Sequence, residues 1–276
     1  MREIGLHIRI GDSLTEIAQK ALRLNITLFQ CFMVLKSTGT MIPLSEKDIE
    51  DFLVIRREHF KQLYVHGSYW INLAGGSYNG FRPLHRELAL ARRLEFTHMI
   101  LHPGSAKRLE DKQQGIDNLA QALNALFKHE QHIKIVLENS AHGSLSVGGD
   151  FQDFAQLLEK IDHPEKLLFC IDTAHAHSYG YTMGNDAQRE EFIDMLDATI
   201  GIEKIALIHL NDTQEKLGSK IDKHELIGKG VLGSAVLKAF CLHKKLANIP
   251  ILMELPAISH EQEESALNMV RTWHTR

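Results

Sequence analysis

Short apolar runs alternate with longer amphipathic segments along the whole chain. IGLHIRI, ITLFQCFM, LYVHGSY, THMILH, IKIVLEN, LLFCIDTA, IALIHLN and IPILMEL are brief and rich in β-branched and aromatic residues, and predict eight strands. Between them the segments SLTEIAQKALRL, EKDIEDFLVIRREHFKQL, HRELALARRL, GIDNLAQALNALFKHE and DFQDFAQLLEKI space their apolar residues as helices do. NDAQREEFIDMLDATI, GSAVLKAFCLH and SHEQEESALNMVRTW continue the series. Ser13 and Ser45, each with an acidic residue a few positions on, are the expected amino-terminal caps of the first two helices. Strand and helix alternating in this way predict an α/β fold with a parallel sheet, and eight such units predict a (β/α)8 TIM barrel.

A chain of 276 residues is normal for one such barrel. No Pro/Gly/Ser linker or low-complexity run divides it, so residues 1–276 are expected to form a single domain with its chemistry at the carboxyl face of the barrel. Two connections exceed the usual few residues: Met33 to Glu46 after the second strand, and Asp212 to about Gly233 after the seventh.

Composition narrows the field. With 44% apolar and 24% charged residues the chain is of soluble globular type. A net charge of −4 argues against bulk nucleic-acid affinity, without excluding a local basic rim. Cys31, Cys170 and Cys241 form no CxxC pair, which makes a disulfide framework or a cysteine-type zinc site unexpected and points to a reducing cytoplasm. Neither a signal peptide nor a membrane span is expected, and nothing in the sequence suggests more than a monomer.

The 17 histidines change the picture, because histidine is the commonest metal ligand. His66, His102, Glu138, Asp172, His209 and Glu254 each end a predicted strand, His175 follows three residues after Asp172, and Asp222 and His224 lie in the long connection after the seventh strand. Side chains at those positions converge on one mouth of a barrel. Five imidazoles and four carboxylates suit a polynuclear centre of hard or borderline divalent ions, since the carboxylates alone would repel one another. Glu138, midway in strand order, is the candidate bridge between ions. Singly, such residues more often bond to a neighbouring loop or cap the next helix. His142 and His177 also fall at the mouth, and His7 is expected to be a satisfied barrel histidine. Cys170, on a strand, should be buried and inert. GSLSVGGD lacks phosphate-loop or dinucleotide spacing, Gly228-Lys229-Gly230 reads as a turn, and Ser68 and Ser140 read as loop hydroxyls.

With these residues in place the chain resembles the endonuclease IV family of apurinic/apyrimidinic endonucleases. The matching segments are HGSYWINLA, LHPGS, LENSA, CIDTAHA, IHLNDTQEKLGSKIDKHELIGKG and LMELP, in order around all nine ligands. The resemblance is clearest from about residue 60 onwards. It implies three Zn2+ ions per chain and hydrolysis of the phosphodiester 5′ to an abasic site in double-stranded DNA. His66, His102 and Glu138 would hold the first ion. Glu138, Asp172, His209 and Glu254 would hold the second, and His175, Asp222 and His224 the third. Mn2+ is an alternative at the carboxylate-rich position. Hydroxide held between two ions would attack phosphorus, with Glu138 as the catalytic candidate.

Two loops depart from the family pattern. The basic loop after the second strand reads MVLKSTGTMIP here, with Lys36 as its one charge, and the glycine-rich loop after the Glu138 strand reads AHGSLSVGGDF. Tyr69 stands where the family keeps a DNA-contacting tyrosine, with Trp70 beside it. Lys36, Tyr69 and Lys223 are the expected DNA-binding residues, and Lys107 and Arg108 could also meet phosphates. Two alternatives stay open: a sugar isomerase or epimerase on a related barrel, which would not need Asp222 and His224, and a metal-binding module that binds DNA without nicking it.

Overall fold

The computed structural model describes residues 2–11, 13–35, 38–76, 78–107 and 111–274. Eight strands alternate with helices: β1 (Ile4–His7), α1 (Leu14–Arg23), β2 (Phe29–Phe32), α2 (Glu46–His59), β3 (Tyr64–His66), α3 (Tyr78–Arg93), β4 (His98–Leu101) and α4 (Lys112–His129). They continue with β5 (Lys134–Glu138), α5 (Phe151–Lys160), β6 (Leu167–Asp172), α6 (Thr173–Tyr179), α7 (Asp186–Ile200), β7 (Ile205–His209), α8 (Gly233–Cys241), β8 (Ile251–Met253) and α9 (His260–Trp273). Each strand pairs in parallel with the next, and β8 returns to β1 through Ile4↔Ile251 and Leu6↔Met253. The expected (β/α)8 barrel is therefore closed.

Strand periodicity explains how the barrel interior leads to the site. Successive side chains point to opposite faces, so residues two apart share one face. Leu28, Tyr64, Ile100, Val136, Cys170, Leu207 and Leu252 form an apolar cluster separate from the larger core between sheet and helices. Each stands two residues before a polar side chain at the mouth: Gln30, His66, His102, Glu138, Asp172, His209 and Glu254. The plug and the ligand ring are thus consecutive layers of the same inward faces. Gly5 takes the matching place on β1, where a Cβ would lie 2.3 Å from the Leu28 carbonyl oxygen; glycine leaves that space to Leu28.

Both predicted caps form: Glu16 N donates to Ser13 Oγ, and Asp48 N donates to Ser45 Oγ. Two elements differ from expectation. Helix α3 begins at Tyr78 rather than near His85 and runs through Pro83. Gly80 lets its first turn press on the loop after β3, where a Cβ would stand 2.5 Å from Asn72 O. The short α6 was hidden in CIDTAHA. Asp172 caps it by accepting from His175 N at 2.8 Å, so the carboxylate that ends β6 also starts the helix bearing His175.

Candidate metal centre

Glu138 lies at the centre of the mouth and is fully buried. Its Oε2 is 3.0 Å from His66 Nε2 and 3.7 Å from His102 Nε2, while its Oε1 is 2.7 Å from His209 Nδ1. His209 Nδ1 also lies 3.4 Å from Glu254 Oε2 and 4.0 Å from Asp172 Oδ2. On the other flank His175 Nε2 is 3.1 Å from Asp222 Oδ1 and 3.4 Å from His224 Nε2, and His224 Nε2 is 3.4 Å from Asp172 Oδ2. All nine ligand candidates are therefore brought to one place.

Among the described residues, three groups of these side chains have ligand atoms within 4.8 Å of one another: His66–His102–Glu138, Glu138–Asp172–His209–Glu254 and Asp172–His175–His224. Asp222 joins the last through its contacts with both histidines. A fourth group, Glu138–Cys170–His209, includes the thiol below the centre. Burial pushes that thiol up to about 12, so at neutral pH Cys170 is a packing residue.

The hydrogen bonds fix which histidine nitrogen faces inward. His66 Nδ1 is 2.8 Å from Gly67 O and His175 Nδ1 is 2.9 Å from Asn139 O. A carbonyl only accepts, so both rings carry their proton on Nδ1 and aim Nε2 at the centre. His209 is reversed: its Nε2 faces Gln30 Oε1 at 2.9 Å, leaving Nδ1 towards Glu138. Neutral rings in this arrangement point lone pairs at carboxylate oxygens, which is repulsive unless a proton or a cation lies between. The donor set of imidazole nitrogens and carboxylate oxygens, with each of these rings oriented by a carbonyl, fits divalent ions such as zinc.

Electrostatics agree with the geometry. Burial alone would lower His175, but Asp172, Asp222 and Glu138 outweigh it and hold the ring well above the ordinary histidine range. His209 is likewise held above that range against the effect of burial, by the carboxylates of Glu254 and Glu138. Glu138 is kept well below the usual carboxylate range: burial opposes its charge, and His209, His102 and His66 more than offset that. Burial pulls His102 down to about 4, which leaves it neutral with a free lone pair.

Several residues that sequence reasoning passed over complete the site. Gln30 is fully buried, donates to Glu254 Oε1 at 2.6 Å and to His7 Nδ1 at 2.9 Å, and accepts from His209. Asn211 donates to Asp172 Oδ2 at 2.6 Å, and Asn139 donates to Asp172 O. Glu87 of α3 accepts from both Ser68 N and Ser68 Oγ, which pins the turn after His66. His7 faces Gln30 and Glu254, as a satisfied barrel histidine would. His142 and His177 sit on backbone carbonyls, Lys220 O and Glu215 O respectively. Ser140 is a loop hydroxyl that accepts from His142 N.

Beside the ligands opens a cavity of about 450 Å³, whose lining includes Asp222, Lys223, His224 and Glu254 as well as Phe32, Val34, Leu35 and Tyr69. Tyr69 and Trp70 are 61% and 58% exposed, large rings held at the surface of the mouth. Lys223 and Lys107 are exposed. Lys36 and Arg108 lie outside the described residues. The loop carrying Lys36 narrows to an antiparallel bridge, Val34↔Met41. Among the described residues no helix is long and apolar enough to cross a membrane.

The chain is similar to known proteins over nearly its whole length. Residues 18–273 match the family described as xylose isomerase-like TIM barrel. A probable endonuclease 4 of Thermoplasma volcanium is 32% identical, the alignment covering 95% of this chain and 92% of that protein. One from Heliobacterium modesticaldum is 30% identical over 92% of each chain. The crystal structure of endonuclease IV from Thermus thermophilus superposes with a TM-score of 0.84 at 27% identity, covering 99% of this chain and 98% of that one. The chain belongs to the endonuclease IV family of the xylose isomerase-like TIM barrels.

Proposed function

We propose that the protein is a metal-dependent endonuclease that hydrolyses the phosphodiester 5′ to abasic sites in double-stranded DNA, as in base excision repair. The observation that carries this reading is the sharing of carboxylates. Of the three groups made of ligand candidates alone, Glu138 and Asp172 each belong to two, and Asp222 joins through His175 and His224, so the nine side chains form one continuous cluster. His66, His102 and Glu138 would hold one ion, Glu138, Asp172, His209 and Glu254 a second, and His175, Asp222 and His224 a third. Bound divalent ions, zinc by ligand type with Mn2+ as an alternative at the carboxylate-rich position, would activate water and neutralise charge growing on the phosphate.

The chain's own groups prepare that chemistry. Glu138, the residue we assign to catalysis, is held ionised with its two oxygens turned to different histidines. Gln30 and the carbonyls of Gly67 and Asn139 hold His209, His66 and His175 with one nitrogen inward. The cavity wall of Phe32, Val34 and Leu35 is apolar, and a substrate seated against it would lose water on that side. Tyr69, with its ring at the mouth, and Lys223, on the rim, are the described residues we assign to DNA contact, the lysine through phosphates. Lys36 completes the proposed DNA-binding set.

The sugar isomerase reading explains less, because it has no use for Asp222 and His224, which the structure brings to His175. Incubation of zinc-loaded protein with a duplex carrying one tetrahydrofuran residue tests the proposal. A single nick on its 5′ side leaving a 3′-hydroxyl supports it. An intact duplex overturns it in favour of small-molecule or binding-only alternatives.

A further inference from the structure

The long connection from β7 to α8 carries Asp222 and His224, yet contains no regular helix or strand to hold them. What gives it shape is a buried carboxylate at its root. Asp212 is fully buried, and its two oxygens accept from five backbone N–H groups. Thr213 and Leu232 donate to Oδ1 at 2.9 and 3.1 Å. Gly228, Gly230 and Gly233 donate to Oδ2 at 3.0, 3.1 and 3.2 Å. The main chain of the same residue accepts from Glu225 N at 2.8 Å, next to His224.

The glycines belong to this clasp. Gly228 and Gly233 have φ of +78° and +73°, which glycine adopts without strain. A Cβ on Gly230 would stand 2.2 Å from Asp212 Oδ1 and 2.3 Å from Thr213 O. IGKG, read from sequence as a turn, thus wraps its N–H groups around an anion supplied by the protein itself.

We propose that Asp212 is the positioning residue of the third ion. By closing the loop on itself it presents Asp222 and His224 to His175, while His66, Glu138, Asp172 and His209 end strands, and His102 and Glu254 directly follow them, independently of it. The proposal rests on the metal-centre reading above. Asparagine has the shape of aspartate but turns an N–H2 group towards at least two backbone N–H donors, so Asp212→Asn opens the clasp. Gly230→Ala opens it from the opposite side.

The experiment measures zinc per chain after dialysis, and the affinity of each position by titration of Zn2+ against a chelator, for wild type, Asp212→Asn, Gly230→Ala and the exposed-site control Lys229→Ala. The expected result is three ions in wild type and control. Each clasp variant should keep two and rebind the third about 10- to 100-fold more weakly. Three ions at wild-type affinity in both clasp variants would overturn the proposal. Loss of all ions and of the folded circular-dichroism signal in both would also overturn it, because Asp212 would then be a general folding residue. A wild type that takes up fewer than three ions refutes the centre itself, which is a separate failure visible before any variant is compared.

Discussion

His209 Nδ1 lies 2.7 Å from Glu138 Oε1 while its Nε2 faces Gln30 Oε1 at 2.9 Å. The amide oxygen therefore decides which imidazole nitrogen reaches the centre. Gln30 can play this part because its own N–H2 group is committed to Glu254 and His7. Replacing it with methionine, similar in length but with only a weak thioether acceptor, frees the His209 ring to turn. Zinc affinity at the Glu138–Asp172–His209–Glu254 position is expected to fall about 10- to 100-fold. Chelator competition on the purified variant checks this, and unchanged affinity would show that packing alone orients the ring.

Removing the metals should destabilise the fold. Four carboxylates and five histidines then face one another with protons as their only counter-charge, and each ion at a hundredfold excess over its Kd contributes about 2.7 kcal/mol. The midpoint of thermal unfolding should fall by roughly 10–15 °C on chelation of all three ions and recover on adding zinc. Calorimetry with and without chelator measures it.

Asp48 of α2 tests the scaffold apart from the site. It accepts from Leu14 N at 2.8 Å, from Thr15 N at 3.1 Å and from Ser13 Oγ at 2.5 Å, so it caps α1 from a neighbouring helix. Asp48→Ala should cost about 1–2 kcal/mol of stability and leave zinc content unchanged. Denaturant unfolding with metal analysis separates the two effects.

His98, at the amino end of β4 and away from the mouth, should set part of the acid limb. Burial, with Lys134 adding to it, lowers this histidine to about 4 from an ordinary value near 6.5. Above 6.5 the ring is neutral folded or unfolded and contributes no pH dependence. As pH falls from 6.5 towards 4 the unfolded chain takes up a proton that the folded one refuses. Stability then drops by up to roughly 3 kcal/mol and levels off below about 4. His98→Gln should flatten that limb, measured as the difference in unfolding free energy between about pH 7 and about pH 4.5 for the two proteins.

The eight strands and the ligand ring were legible because strand periodicity is simple: an apolar run ending in histidine or a carboxylate marks an inward face and its open end. Gln30 was not, since an uncharged amide inside FQCF reads as a polar interruption; its meaning comes from β7 and β8, which meet it only when the barrel closes. Asp212 was passed over for a related reason. It follows His209 and Asn211 in HLND, and the five donors that explain it come mostly from glycines far along the loop. Helix α6 was masked by its histidines, and the first turns of α3 by the Gly80 and Pro83 of NGFRP. Side chains whose partners are distant in sequence are where periodicity has least to say.

Incision of a duplex bearing one tetrahydrofuran residue, by zinc-loaded wild type and by Glu138→Gln, tests the central claim most directly. That analogue cannot undergo β-elimination, so a nick can arise only by hydrolysis. The predicted result is a 5′ nick by wild type and a rate slower by on the order of a thousandfold in the variant. An intact duplex from zinc-loaded wild type, or equal nicking by both proteins, would contradict it.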